Sequence, residues 1–116
     1  MDSTMGELVV LVTVQNKEEG LRIAESLVSG RLAACVNIIP GIESIYRWEG
    51  RVAHDEEVLL IVKTTAQRFP DLELEVKKLH SYTTPEVIAV EIQQGSAAYL
   101  NWLRDSTFPD KTSQDD

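Results

Sequence analysis

Two long strand-forming stretches meet at Trp48-Glu49-Gly50-Arg51, and a chain of 116 residues has few ways to hold them. Gly50 takes positive φ without steric cost, so the bend reads as the tip of a β-hairpin. One strand reaches back toward Leu32 and the other runs on to about Thr65. An ordinary strand has about 5–6 residues. The hairpin therefore overshoots the core that the rest of the chain can build, and its far half is an arm. Near the turn both faces of the arm are mostly polar. From Val58 to Val62 both faces are apolar.

The remaining elements fall around this hairpin. Glu7 to Val14 (ELVVLVTV) is short, β-branched and apolar, which predicts a buried strand. Asn16 offers an N-cap, and Glu19 stands three residues on, as in a capping box. Leu21, Ala24, Leu27 and Val28 form a helical stripe, and Gly30 reads as the helix stop. Leu32 to Ile39 is the second strand. Pro40-Gly41 bends it without ending it, and it resumes from Ile42 to Trp48. A second helix begins near Pro70, carries Phe69, Leu72, Val76 and Leu79 on one side, and ends before Tyr82-Thr83-Thr84-Pro85. Val87 to Ile92 is a fourth strand. After Gly95-Ser96 a last short helix runs from Ala97 to about Ser106.

The order β-α-β-β-α-β, followed by a short C-terminal helix, predicts an α+β fold of the ferredoxin-like, split βαβ type. Right-handed crossovers put both main helices on one face of a four-stranded antiparallel sheet. Residues 7–106 read as a single domain, with a flexible segment at 1–6 and a polar tail at 107–116. Val58, Leu60 and Val62 on one side of the third strand, and Leu59 and Ile61 on the other, cannot all face the helices. A lone copy leaves an apolar face open, which predicts self-association.

The net charge is −8, and the basic residues are scattered with no aromatic interleaving, which argues against nucleic acid as a partner. No apolar run approaches the roughly 20 residues of a membrane span. The segment MDSTMGE has no signal-peptide core, and Cys35 is the only cysteine, so a cytoplasmic location is expected.

Candidate metal ligands are Cys35, His54, His80 and the carboxylates, without any C-x-x-C, H-x-x-x-H or EF-hand spacing. Cys35 reads either as a small core residue or as a soft ligand or redox-sensitive thiol. His80 ends the second helix, where it is either a helix-end group or a copper ligand. Lys63 lies in an apolar strand and needs a partner, for which Glu86 or Glu57 are the expected carboxylates. His54 and the run Asp55-Glu56-Glu57 read as a solvated or interface face that could hold a hard cation weakly. No nucleophile–base pair points to an enzyme.

Five segments together resemble the CutA divalent-cation tolerance family: LAACVNIIPG from Leu32, IESIYRWEG to Gly50, LLIVKT to Thr64, HSYTTPE from His80 and YLNWL from Tyr99. The resemblance runs from about Leu8 to Arg104. It implies a homotrimer whose sheets surround a three-fold axis and whose arms hook onto neighbouring subunits, an assembly similar to the PII signalling proteins. It implies no obligatory cofactor, with Cu(II) or another divalent cation as the metal that could bind, for which His80 and Cys35 are the candidate ligands. It also implies an inter-subunit cleft lined by Lys63, Tyr82, Glu86, Glu57 and Trp48. Two departures stand out. Ser81 replaces the family's usual proline, and Leu79 and Val12 stand where some bacterial members carry a histidine and a cysteine. Two functions follow as expectations: divalent-metal tolerance with copper binding, or PII-like signalling through a small ligand held between subunits.

Overall fold

The computed structural model describes residues 6–109. The elements are β1 (Glu7–Val14), α1 (Lys17–Ser29), β2 (Cys35–Trp48), β3 (Arg51–Thr65), α2 (Phe69–Leu79), β4 (Val87–Glu91) and α3 (Ala97–Thr107). The four strands form one antiparallel sheet in the order β2-β3-β1-β4, which is the split βαβ topology expected. Leu8, Val10, Val12 and Val14 of β1 and Val58, Leu60 and Val62 of β3 point to the same side. There they meet Ile23 and Leu27 of α1 and Leu72 and Val76 of α2. Gly20 allows α1 to lie this close. A Cβ at that position would come within 3.2 Å of Leu60 Cδ2 and 3.3 Å of Val14 Cγ2.

Local rules explain most of the boundaries, and two details differ from the expectation. Asn16 does cap α1, since its Oδ1 accepts the Glu19 N–H at 2.8 Å. The second half of the capping box does not form, because the Glu19 carboxylate is used elsewhere. At the other end α1 stops at Gly30, its C-cap, as expected, and the left-handed residue is the next one, Arg31 (φ 60°), while Gly30 keeps a negative φ. The Leu27 carbonyl then accepts the N–H groups of Leu32 (2.8 Å) and Ala33 (3.1 Å). Those two residues close the helix and cannot join a ladder, so β2 begins at Cys35 and not at Leu32. The Arg31 guanidinium holds this turn in place by donating to the Asp105 and Ser106 carbonyls in the last turn of α3 (3.3 and 3.0 Å).

β2 and β3 run to 14 and 15 residues. Their register shifts between Ile39 and Ile42, where Gly41 has φ 77°, so Pro40-Gly41 bends the strand as a bulge without ending it. Trp48 pairs with Arg51 across a two-residue loop. Both loop residues have positive φ, Glu49 at 50° and Gly50 at 78°, as a type I′ hairpin turn requires. The arm stretches the molecule to 48 Å along its longest axis and raises the radius of gyration to 15.2 Å. A compact chain of about 100 residues has about 13 Å.

The second face of the sheet is only partly covered. α3 lies across the end that holds Glu7: Arg104 pairs with the Glu7 carboxylate at 2.5 Å, and Leu103 is fully buried outside the main core. The rest of that face is bare, with Ile88 52% and Val90 57% exposed. One boundary expectation changes at the C-terminal end. Thr107 is not tail: it is buried at the end of α3, where its hydroxyl donates to the Leu103 carbonyl at 2.9 Å. Residues 1–5 and 110–116, expected as flexible ends, lie outside the described residues.

Leu60 sits at the meeting point of β3 and α1 with no exposed surface. Leu60→Ala is expected to lower the unfolding free energy by about 2–5 kcal/mol, measured by denaturant titration at fixed protein concentration. A loss under about 0.5 kcal/mol would contradict this account of the core.

Candidate functional site

His80 ends α2, and its backbone N–H closes on the Val76 carbonyl at 2.9 Å. Its side chain is wholly enclosed. The Tyr82 N–H donates to Nδ1 at 3.0 Å, so Nδ1 is the acceptor nitrogen. Nε2 then carries the proton and donates to the Thr13 carbonyl at 2.7 Å. Neither nitrogen keeps a lone pair for a metal. Of the two readings of His80, the geometry has the features of the helix-end one: the side chain ties α2 to the end of β1. Glu19, equally enclosed, reaches across from α1 and accepts the Ser81 N–H at 2.7 Å and the Ser81 hydroxyl at 3.0 Å. Proline, the residue usual here in the resembling family, could supply neither hydrogen bond.

Tyr82 carries this network outward. Its ring packs on His80 with centroids 4.7 Å apart, and its hydroxyl donates to Glu57 Oε2 at 2.6 Å. Burial, followed by that bond and the Glu57 charge, pushes the Tyr82 hydroxyl well above its ordinary pKa. On the arm, the Tyr46 hydroxyl donates to Asp55, and this bond is the largest cause of its own raised pKa.

Between the arm and the α2–β4 segment lies a groove of about 990 Å³. Trp48, Glu57, Tyr82 and Glu86 all line it, so the fold gathers four of the five residues expected in the cleft. Glu43, Asp55 and Glu56 add carboxylates, and no lysine or arginine is among the lining residues.

Lys63 stands apart. It lies six positions beyond Glu57 on β3, about 20 Å along the strand. Its ammonium donates to Asn37 Oδ1, not to Glu57 or Glu86 as expected. Cys35 is the cross-strand partner of Lys63, is half-buried, and has Sγ 4.0 Å from the same Asn37 oxygen. That places it on the face away from α1 and α2, so Cys35 and His80 do not converge. Among the described residues no group of three or more His, Cys, Asp and Glu side chains could hold a metal ion. His54 is exposed on the arm, with Nε2 3.4 Å from Glu43. Sequence reasoning overlooked Asn37 and Glu19. Strand parity could have found Asn37, which shares a face with Cys35 and Lys63 once the register is known. Nothing in the spacing signals the 62-residue reach from Glu19 to Ser81.

Residues 8–106 match the family model of the CutA1 divalent ion tolerance protein. The divalent-cation tolerance protein CutA of Thermus thermophilus is 55% identical over 101 residues, which is 87% of this chain and 98% of that protein. The solved Thermus structure superposes with a TM-score of 0.86. CutA1 from Oryza sativa does so at 0.88, with 51% identity over 94% of this chain and 100% of that one. Human protein CutA is 45% identical over 96 residues, 83% of this chain and 54% of its own length. The chain likewise spans 59% of the chloroplastic rice protein. Among the described residues no helix is long and apolar enough to cross a membrane. With identity and fold matching along nearly all of its described length, the chain belongs to the CutA1 divalent ion tolerance family.

Proposed function

We propose that the chain serves divalent-cation tolerance as a cytoplasmic homotrimer without enzymatic activity, and that copper is the cation concerned. The match of residues 8–106 to the divalent ion tolerance family carries this reading. The bare apolar face around Ile88 and Val90 and the overhanging arm support the assembly, because water-exposed apolar surface of that kind favours burial against another copy. Copper contact falls to Cys35, the soft donor on the open sheet face, and to surface carboxylates, since the His80 nitrogens are both engaged. A second reading has one observation of its own in favour. The groove holding Trp48, Glu57, Tyr82 and Glu86 is as large as a typical small-ligand site, which suits a PII-like sensor of a small molecule.

Two measurements test these readings. Replacing Ile88 and Val90 together by Asp is expected to convert a trimer into smaller species in sedimentation velocity at micromolar concentration. A trimer unchanged by the pair, or a wild-type chain that sediments as a monomer, would refute the assembly.

Copper affinity is read by calorimetric Cu(II) titration against glycine as competing chelator. His80→Gln is expected to leave the affinity unchanged while lowering stability by about 1–3 kcal/mol, since buried hydrogen-bonding groups lose their partner. Cys35→Ser is expected to weaken binding about tenfold or more through loss of the thiolate. Copper binding lost in His80→Gln and kept in Cys35→Ser would reverse the assignment.

A further inference from the structure

Glu57 is the most informative carboxylate of the groove. It is 7% exposed. One oxygen accepts the Tyr82 hydroxyl, and the other accepts no hydrogen bond among the described residues. No fully enclosed side-chain oxygen in the described chain lacks a partner, so this second oxygen opens toward the groove that Glu57 lines. No lysine, arginine or histidine pairs with it among the described residues. Among the described residues of the single chain, a carboxylate this buried has a neutral hydroxyl as its one donor and no countercharge of the kind that buried ions normally keep.

The surroundings define what would supply that charge. Asp55 lies two positions from Glu57 on the same face of β3, roughly 7 Å along the strand. Glu86 faces them from the α2–β4 segment, and Trp48, Tyr46 and Tyr82 add aromatic walls. These carboxylates do not converge on one point as a metal site requires. They are spread along a trough. Aromatic faces attract organic ammonium groups, and the field of the groove carries one sign.

We propose that this groove binds a linear aliphatic polyamine, with one ammonium on Glu57, a second a few methylenes away on Asp55, and the chain against Trp48 and Tyr82. The spacing matches because such ammonium groups are separated by a few methylenes, a length comparable to two residues of strand. This inference rests on reading the groove as a small-ligand site and names the ligand class for it.

The test is calorimetric titration of the full chain, in its native assembly, with spermidine at low ionic strength, alongside magnesium chloride at matched ionic strength. Saturable binding of one spermidine per chain, not displaced by magnesium, is expected. Glu57→Gln keeps an acceptor for Tyr82 and removes the charge, and about a tenfold weakening is expected. Glu86→Gln, at an exposed position, is expected to weaken binding by a few-fold and guards against a folding defect in the first variant. Equal displacement by magnesium, or affinity unchanged in both variants, overturns the proposal. Tighter binding of a trilysine peptide than of spermidine overturns the small-ligand assignment in favour of a basic segment of a protein. If a neutral or anionic metabolite protects the groove in a thermal-shift screen while spermidine is silent, the polyamine assignment fails and the groove reading stands. If nothing protects it, both fail.

Discussion

The central strands β1 and β3 are apolar on both faces, and the chain has helices to cover only one. That imbalance shapes everything else. α1 and α2 seal the side formed by Val10, Val12, Leu60 and Val62, with Gly20 bringing α1 down onto Leu60. α3 shelters one end of the second side through Leu103. The surface around Ile88 and Val90 is left over, and each residue there is a source of association free energy in water. Covering it with a fourth helix would have stabilised a monomer. In the proposed trimer, part of the stability of the fold would rest on contact between copies, and measured stability would then depend on protein concentration.

Where covalent neighbours control the outcome, the sequence was legible. The Asn16 cap, the Pro40-Gly41 bulge, the hairpin tip at Gly50 and the order of elements were all readable, because each depends on a few adjacent residues and on periodicity. The start of β2 was not. LAACVNII reads as one continuous strand, and only the closure of the helix onto Leu27 takes Leu32 and Ala33 away from it. The left-handed residue likewise fell one position past the obvious glycine, at Arg31, whose side chain is held by α3 from the far end of the chain. Contacts of that kind between distant segments leave no local pattern.

The candidate site shows the same division. Trp48, Glu57, Tyr82 and Glu86 were nameable from their motifs, and the fold brings them to one groove. Their partners were not nameable. Lys63 takes an amide oxygen instead of a carboxylate, and Glu19 serves the α2–β4 segment instead of its own helix. His80 changes meaning altogether. As an isolated imidazole in a sequence it suggests a ligand. In place, it holds Thr13 and Tyr82 with its two nitrogens and so connects α2, β1 and the wall of the groove. Ser81 then adds α1 to the same junction through Glu19. Three elements and one groove wall converge on two adjacent residues.

The bulge at Pro40-Gly41 sets more than a bend. Before it, odd-numbered residues of β2 face the same way as odd-numbered residues of β3, as Cys35 does with Lys63. Beyond it, even-numbered residues of β2 take that place, as Tyr46 does with Ala53 and Trp48 with Arg51. The one extra residue works as a parity switch for the arm. It turns Tyr46 and Trp48 to the side of Asp55 and Glu57 and sends Ile45 to the other. A single-residue deletion there would leave the arm almost as long and its composition nearly intact, yet the aromatic side and the aliphatic side would trade places. The chemistry of the groove is therefore written partly in the counting of residues, at a bulge that itself contributes no side chain to the lining.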